Sequence, residues 1–199
     1  MMTNKNKPCL DKLLDDLYHP NPNINKKSAI EICMFWPDEA KDILFKNFSS
    51  ENVQYRRKSI KALAYFGPDL VKDIVKQYFL KDDLINRVSC LKILVVIASR
   101  HKLQNFQDEV NHVLESAIND SSVEVILSCI NLLRQLGKES LPSLKRLCRD
   151  SNLLRAKAAI TALIEIPDKE TKQFLIDLSN DSSLDIFVRD NAKEALLSY

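Results

Sequence analysis

The amino-acid sequence repeats itself at intervals of about 31 residues, and no other feature constrains the fold as strongly. The segment from Ser28 to Ile43 aligns with the segment from Ser59 to Ile74, and seven positions are identical. Six units contain a small residue followed, four positions later, by an aliphatic residue. These pairs are Ser28 and Ile32, Ser59 and Leu63, Cys90 and Leu94, Cys129 and Leu133, Ala159 and Leu163, and Ala192 and Leu196. Residues four apart share one helical face, so each pair marks a helix that a neighbouring helix can approach closely.

The repeats predict an all-α fold, an α-solenoid of about six helical hairpins wound into a right-handed superhelix. The second helix of each hairpin carries the small and aliphatic pair, and an apolar-periodic segment before it forms the first helix. The predicted first helices are about 10–18, 38–48, 69–80, 107–118, 139–149 and 168–179. Each hairpin buries its apolar face only against the next, so we expect a single domain over 1–199. Its repeats are about 10–36, 38–67, 69–98, 106–137, 139–166 and 168–199. We expect the extra residues from Ser99 to Phe106 to form a protruding loop.

Only two glycines, Gly67 and Gly137, occur in the 199 residues. Each follows the second helix of its unit, where a left-handed glycine commonly ends a helix. Their equivalent positions support the repeat register independently of the apolar pattern. The scarcity of glycine also argues against the glycine-rich phosphate-binding motifs of common nucleotide-binding enzymes.

The composition is typical of a chain that folds in water within a reducing compartment. Apolar residues make up 45% of the chain and charged residues 28%. The longest apolar run, from Ile93 to Ala98, is too short to span a membrane, and the N-terminus lacks the apolar core of a signal peptide. The five cysteines form no CxxC pair, which favours reduced thiols. We therefore predict a protein of the cytoplasm or the plastid stroma with no membrane partner.

Metal-binding and nucleophilic motifs are missing from the sequence. His19, His101 and His112 are scattered and form no HxxxH or His-Glu pair. Cys90 and Cys129 occupy the small-residue position, which favours inert packing over covalent attachment of a ligand. We predict no metal site, and we assign no catalytic residue.

Basic residues are concentrated in the first half of the chain. Residues 1–100 contain 17 Lys and Arg against 12 Asp and Glu, whereas residues 101–199 contain 12 against 15. The second helices of the first three units carry eight cations and one acid, Glu31. These cations are Lys26, Lys27, Arg56, Arg57, Lys58, Lys61, Arg87 and Lys92. Second helices of such arrays commonly line the concave surface, so we predict a basic groove.

The segment Val188 to Leu196 has the pattern V-R-x-x-A-x-x-A-L, and weaker copies begin at Tyr55-Arg56 and Asn86-Arg87. This pattern resembles the HEAT-like repeat of the phycobilisome lyase family. The resemblance covers about residues 10–199. It departs from the family pattern at the arginine position, which holds Asn25, Ile126 and Ala156 in three units, and at the glycine position, which holds Trp36, Ala98 and Pro167. In size and plan the chain is similar to the smaller, F-type subunit of the E/F-type phycobilin lyases.

The resemblance implies a lyase subunit or chaperone that helps attach an open-chain tetrapyrrole to a cysteine of a phycobiliprotein. It implies a phycobilin as substrate, no permanently bound cofactor, and two partners, a phycobiliprotein subunit and an E-type HEAT-repeat lyase subunit in a heterodimer. Whether the chain is an enzyme by itself is left open. The bilin-binding candidates are Trp36, Tyr55, Arg56, Arg57, Lys58, Lys61, Tyr65, Arg87 and Lys92. The last helix, with Leu196 and Leu197, is the expected partner interface.

Two other functions remain open from the residues alone. A non-enzymatic scaffold would bind an acidic protein through the same groove. A DNA-binding or glycosylase-like HEAT protein fits poorly, since the net charge is only +2 and the second half is acidic. Some of the candidate residues also have a structural interpretation. Arg56, Arg87 and Arg189 could be hydrogen-bonded to acids in neighbouring turns. Trp36 could be a packing residue at a hairpin junction.

Overall fold

The computed structural model describes residues 7–80, 83–166 and 168–198. Within these ranges the chain forms twelve α-helices and no strand. They are α1 (Leu10–Leu17), α2 (Pro22–Phe35), α3 (Pro37–Lys46), α4 (Val53–Leu63), α5 (Val71–Leu80), α6 (Leu84–Ala98), α7 (Gln107–Ile118), α8 (Val123–Leu136), α9 (Leu141–Leu147), α10 (Leu153–Ile164), α11 (Lys169–Asn180) and α12 (Ile186–Leu196). Short 3-10 helices cover Asn47–Ser49, Ala64–Leu70, Gln104–Phe106 and Gly137–Ser140. The predicted all-α fold of helical hairpins is confirmed.

Most of the second helices begin at a side chain that caps them. In α2, α4, α6, α10 and α12 an Asn or Asp accepts a hydrogen bond from the backbone N–H two residues further on, at 2.7 to 3.3 Å. The capping residues are Asn21, Asn52, Asp83, Asn152 and Asp185. A cap of this kind satisfies a backbone donor that the first turn of a helix leaves free, and it therefore helps to determine where each of these five helices starts.

The small and aliphatic positions of the repeat form the contact between helices. All six small residues are buried, and five of the six aliphatic ones are at most 2% exposed. Leu196 of α12 is the exception and is half-buried. The burial confirms the predicted role of the pairs, because a small side chain lets a neighbouring helix approach while the aliphatic one fills the space beside it.

The chain divides into two compact units, Met1–Val113 and Leu114–Tyr199. In the first unit, Asn47 donates from Nδ2 to the Tyr18 hydroxyl at 2.8 Å and to the Ser59 hydroxyl at 3.1 Å. Burial raises the pKa of Tyr18 above its usual value, which keeps this hydroxyl a neutral hydrogen-bonding group. In the second unit, ion pairs such as Lys138 with Asp168 connect one hairpin to the next. The expectation of one domain over the whole chain stays a prediction.

Both glycines have positive φ values, as predicted, but neither adopts the expected left-handed helical conformation. Gly67 has φ 69° and ψ −155°, and Gly137 has φ 76° and ψ −136°. This region is almost exclusive to glycine, since a Cβ would clash with the local backbone there. At Gly137 an added Cβ would have no other heavy atom within 4 Å, so the constraint is one of backbone conformation alone.

We expect Gly137→Ala to lower the free energy of unfolding by more than about 1 kcal/mol, because alanine is strained at this φ and ψ. Urea denaturation followed by circular dichroism measures the change. The surface substitution Glu139→Ala serves as the control, because Glu139 is exposed, and it should stay within about 0.5 kcal/mol of the parent protein. Equal stability of the alanine variant at 137 and the parent protein would contradict the assigned backbone conformation.

Candidate functional site

Four of the predicted cations form what we call the α4–α6 basic face: Arg57, Lys58 and Lys61 on α4 and Lys92 on α6. Arg57, Lys61 and Lys92 are exposed and Lys58 is half-buried. Lys61 and Lys92 hold equivalent repeat positions on helices that pack against each other. Among the described residues, no carboxylate oxygen lies within 4.0 Å of any of the four cationic groups. Within the described ranges these charges therefore lack an ion-pair partner, and they lie on a surface that solvent reaches.

Arg56, the neighbour of Arg57, has a structural position. Its Nη1 donates to the backbone carbonyl of Ser50 at 2.5 Å and to that of Glu51 at 3.1 Å. The side chain thus holds the turn that precedes α4. The alternative of a structural arginine is supported, but its partners are backbone carbonyls rather than the acids we expected. Arg87 is half-buried at the equivalent position of α6, and its role as a ligand-binding residue stays a prediction.

Tyr55 lies at the start of the basic face. It is 42% exposed, and its ring centroid is 4.2 Å from that of Tyr18. Asn47 and Ser59 form hydrogen bonds with the Tyr18 hydroxyl, so the ring against which Tyr55 packs is held in place. An exposed aromatic face beside several cations can contact an apolar or planar group on a ligand or partner.

Trp36 does not lie free at its hairpin junction. Its indole Nε1 donates to the carbonyl of Pro8 at 2.8 Å, and the Lys7 ammonium lies 3.4 Å from the ring centroid. These contacts attach the segment before α1 to the junction between α2 and α3, and they favour the packing role. A ligand-binding role for Trp36 stays a prediction.

The segment between α6 and α7 is anchored by Leu103, which is only 5% exposed, whereas the residues from Ser99 to Lys102 are exposed. The expectation of a protruding loop stays a prediction. The Arg100 guanidinium lies 5.1 Å from the centre of the Tyr65 ring, and Nε2 of His101 would lie 3.7 Å from a Cβ at Gly67. Tyr65 is thus covered by a cation of its own chain. The sequence-based set of candidates missed Arg100, because it lies in the insertion after α6 and outside the second helices.

Four of the five cysteine side chains are poor nucleophiles. Cys90, Cys129 and Cys148 are buried, Cys33 is half-buried and Cys9 is exposed. Burial raises the pKa of Cys33, Cys129 and Cys148 to about 12, and it raises the pKa of Cys90 as well. The thiolate is the reactive form, so these four thiols are inert at neutral pH. This supports inert packing for Cys90 and Cys129.

We expect a single fast-reacting thiol, that of Cys9, when the native protein is mixed with Ellman's reagent at neutral pH. The other four should react only when denaturant exposes them, because they are both shielded and protonated. The change in absorbance measures the number of fast thiols, and the Cys9→Ser variant should show none. A rapid reaction of Cys90 or Cys129 in the native state would contradict their burial.

The described part of the chain has no group of three or more His, Cys, Asp and Glu side chains placed to hold a metal ion. None of its helices has the length and hydropathy of a membrane span. What the α4–α6 basic face offers chemically is positive charge, hydrogen-bond donors and an aromatic surface, all of which serve binding.

Residues 110–197 match the family described as HEAT repeats. No curated protein shows significant sequence similarity to the chain. Among solved structures, a designed armadillo repeat protein in complex with the peptide (KR)4 has a TM-score of 0.51 and 16% identity, with 96% of this chain and 99% of that chain covered. An engineered protein has a TM-score of 0.49 and 19% identity, with 95% of each chain covered. The HEAT match and the fold of the first neighbour agree with the hairpins seen here, and the fold is that of a HEAT- or armadillo-like helical repeat protein.

Proposed function

We propose that this chain is a non-enzymatic scaffold that binds an acidic protein segment through the α4–α6 basic face. The observation that carries the proposal is the contrast between these cations and others of the chain. Several Lys and Arg side chains pair with an acid of the next hairpin, such as Lys41 with Asp73 at 3.3 Å and Arg134 with Glu165 at 2.6 Å. Those of the basic face have no such partner among the described residues.

Unpaired cations on adjacent helices favour an acidic partner for electrostatic reasons. Each repels its neighbours in the free protein, and an approaching carboxylate relieves that repulsion while it gains charge-assisted hydrogen bonds. Binding grooves of helical repeats are extended surfaces, and the designed armadillo neighbour carries a peptide with alternating Lys and Arg. A basic surface on a related fold would select the opposite charge.

The second candidate function is that of a phycobilin lyase subunit or bilin chaperone, together with a phycobiliprotein subunit and an E-type subunit as partners. The exposed ring of Tyr55 and the cation of Lys58, three residues further on along α4, support it, because a bilin combines a planar apolar system with two propionates. On this proposal the chain orients the chromophore, and the thiolate of the acceptor protein performs the addition. The high pKa values of its own buried thiols agree with that division of roles.

The double reversal Lys61→Glu and Lys92→Glu should weaken binding of a fluorescein-labelled poly-glutamate peptide by about tenfold or more, since two attractive charges become repulsive. Fluorescence anisotropy at low salt measures the affinity, because surface electrostatics are least screened there. Lys169→Glu with Lys172→Glu on α11 changes the net charge equally and is the matched control. An equal loss in both double variants, or no loss in either, would contradict a specific basic face.

The parent protein and the variant with Lys61→Glu and Lys92→Glu also distinguish the two candidate functions when each is mixed with a phycobilin. A shift in bilin absorbance that the Lys61 and Lys92 reversals abolish would favour the chromophore role. An unchanged spectrum together with poly-glutamate binding would favour the scaffold.

A further inference from the structure

A groove of about 450 Å³ lies between α8 and α10 in the second unit. Its apolar lining comes from Leu127 and Ile130 of α8 and from Leu154 and Ala158 of α10. We propose that this groove is a second binding site, which takes a peptide segment with an aliphatic side chain flanked by a carboxylate. It is independent of the α4–α6 basic face, since no residue of that face lines it.

The aliphatic side chain of the proposed ligand follows from the shape of the groove and from the apolar surface exposed there. Leu154 is 57% exposed in the first turn of α10, and the adjacent Leu153 is 37% exposed. On α12, Phe187 is 39% exposed, and its ring lies near the Lys157 ammonium at the groove. A side chain placed against Leu154 removes apolar surface from water at about 25 cal/mol per Å². A groove of this volume is at the small end of ligand sites, which suits one or two side chains of a peptide.

The carboxylate of the proposed ligand follows from two cations that line the groove, Arg134 and Lys157. Nη1 of Arg134 donates to both oxygens of Glu165, at 2.8 and 2.6 Å, whereas Nη2 makes no hydrogen bond within the described residues. The Lys157 ammonium lies 5.7 Å from the centre of the Phe187 ring, and no described carboxylate lies within 4.0 Å of it. Glu165 balances one of the two charges, so the groove keeps a net positive charge for an acidic group on the ligand.

The polar residues of the groove also fit a peptide. Asn131 lines it, and its amide can both donate and accept, as required for pairing with a peptide backbone. Thr161 lines the same groove, and its hydroxyl donates to the Lys157 carbonyl at 3.0 Å, which leaves its oxygen free to accept. An apolar anchor, a backbone and a carboxylate together describe a short acidic-aliphatic segment of a protein.

The test uses the full chain carrying Lys61→Glu and Lys92→Glu, so that the basic face does not contribute to binding. The probe is a fluorescein-labelled peptide with two central leucines flanked by aspartates. We expect it to bind, and we expect a probe with alanines for the leucines or lysines for the aspartates to bind at least tenfold more weakly. Methyl NMR of the protein should show shifts at Leu127, Ile130 and Leu154.

Two variants locate the site. Ala158→Trp fills the groove, whereas Lys157→Glu reverses a charge at the groove without adding bulk to it. Each should reduce the affinity of the leucine-aspartate probe at least tenfold, while Lys172→Glu on α11 leaves it unchanged. If Ala158→Trp fails to fold, as judged by thermal denaturation, the charge variant and the methyl shifts decide the question. Equal binding of all probes, or methyl shifts away from the groove, would overturn the proposal without affecting that for the basic face.

Discussion

We expect Leu94→Ala to lower the free energy of unfolding by about 2 to 5 kcal/mol, the largest effect of any single change considered. Leu94 is fully buried in α6, at the aliphatic position of the third unit. Removal of its side chain leaves a cavity between packed helices, and the small residue four positions earlier cannot fill it. Equilibrium denaturation in urea measures the loss.

Leu196→Ala is the matched control for this prediction, because Leu196 holds the same repeat position but is only half-buried in α12. It loses less buried area and should cost clearly less stability. Similar losses at both positions would mean that burial does not determine the energetic role of the repeat position.

Arg56→Ala should lower the free energy of unfolding by about 1.5 to 3 kcal/mol, which is the range for hydrogen bonds to charged groups. The variant removes both bonds to the carbonyls of Ser50 and Glu51, so the turn before α4 loses its support. Thermal denaturation and binding of the poly-glutamate peptide are measured on the same preparations. At temperatures where the variant is folded, its affinity should stay within a few-fold of the parent value.

Arg57→Ala is the control for this prediction, and we expect it to affect binding rather than stability. Arg57 is exposed and unpaired within the described chain, so its removal should change stability by about 0.5 kcal/mol or less and weaken binding. If Arg56→Ala instead abolished binding at unchanged stability, its assignment as a structural residue would be wrong.

The helices were predictable because their signals are local. The apolar period placed the six first helices to within a few residues, and the small residue with its aliphatic partner four positions on marked a second helix in each unit. The Asn and Asp caps of the second helices were an equally local signal that the sequence reasoning overlooked. Positive φ at the glycines was predictable, whereas their ψ values depend on how each following turn is connected.

For the candidate site, the sequence predicted the excess of cations but not the role of each cation. The sequence shows eight cations on three second helices. It does not show which of them support the fold and which are exposed. Arg56 and Arg57 are adjacent, and the turn of the helix directs one toward backbone carbonyls and the other toward solvent. The contact between Arg100 and Tyr65 joins an insertion to a preceding helix, so no repeat alignment could predict it.

The sequence by itself determined the helical class, the hairpin repeat and the excess of positive charge in the first half, since each follows from residue type and spacing. The tertiary structure alone decided which cations are free and which are paired, and it revealed the groove between α8 and α10. The physical reason is that an ion pair or a groove depends on the distance between atoms of different hairpins. That distance is determined by packing over the whole repeat rather than by any local pattern.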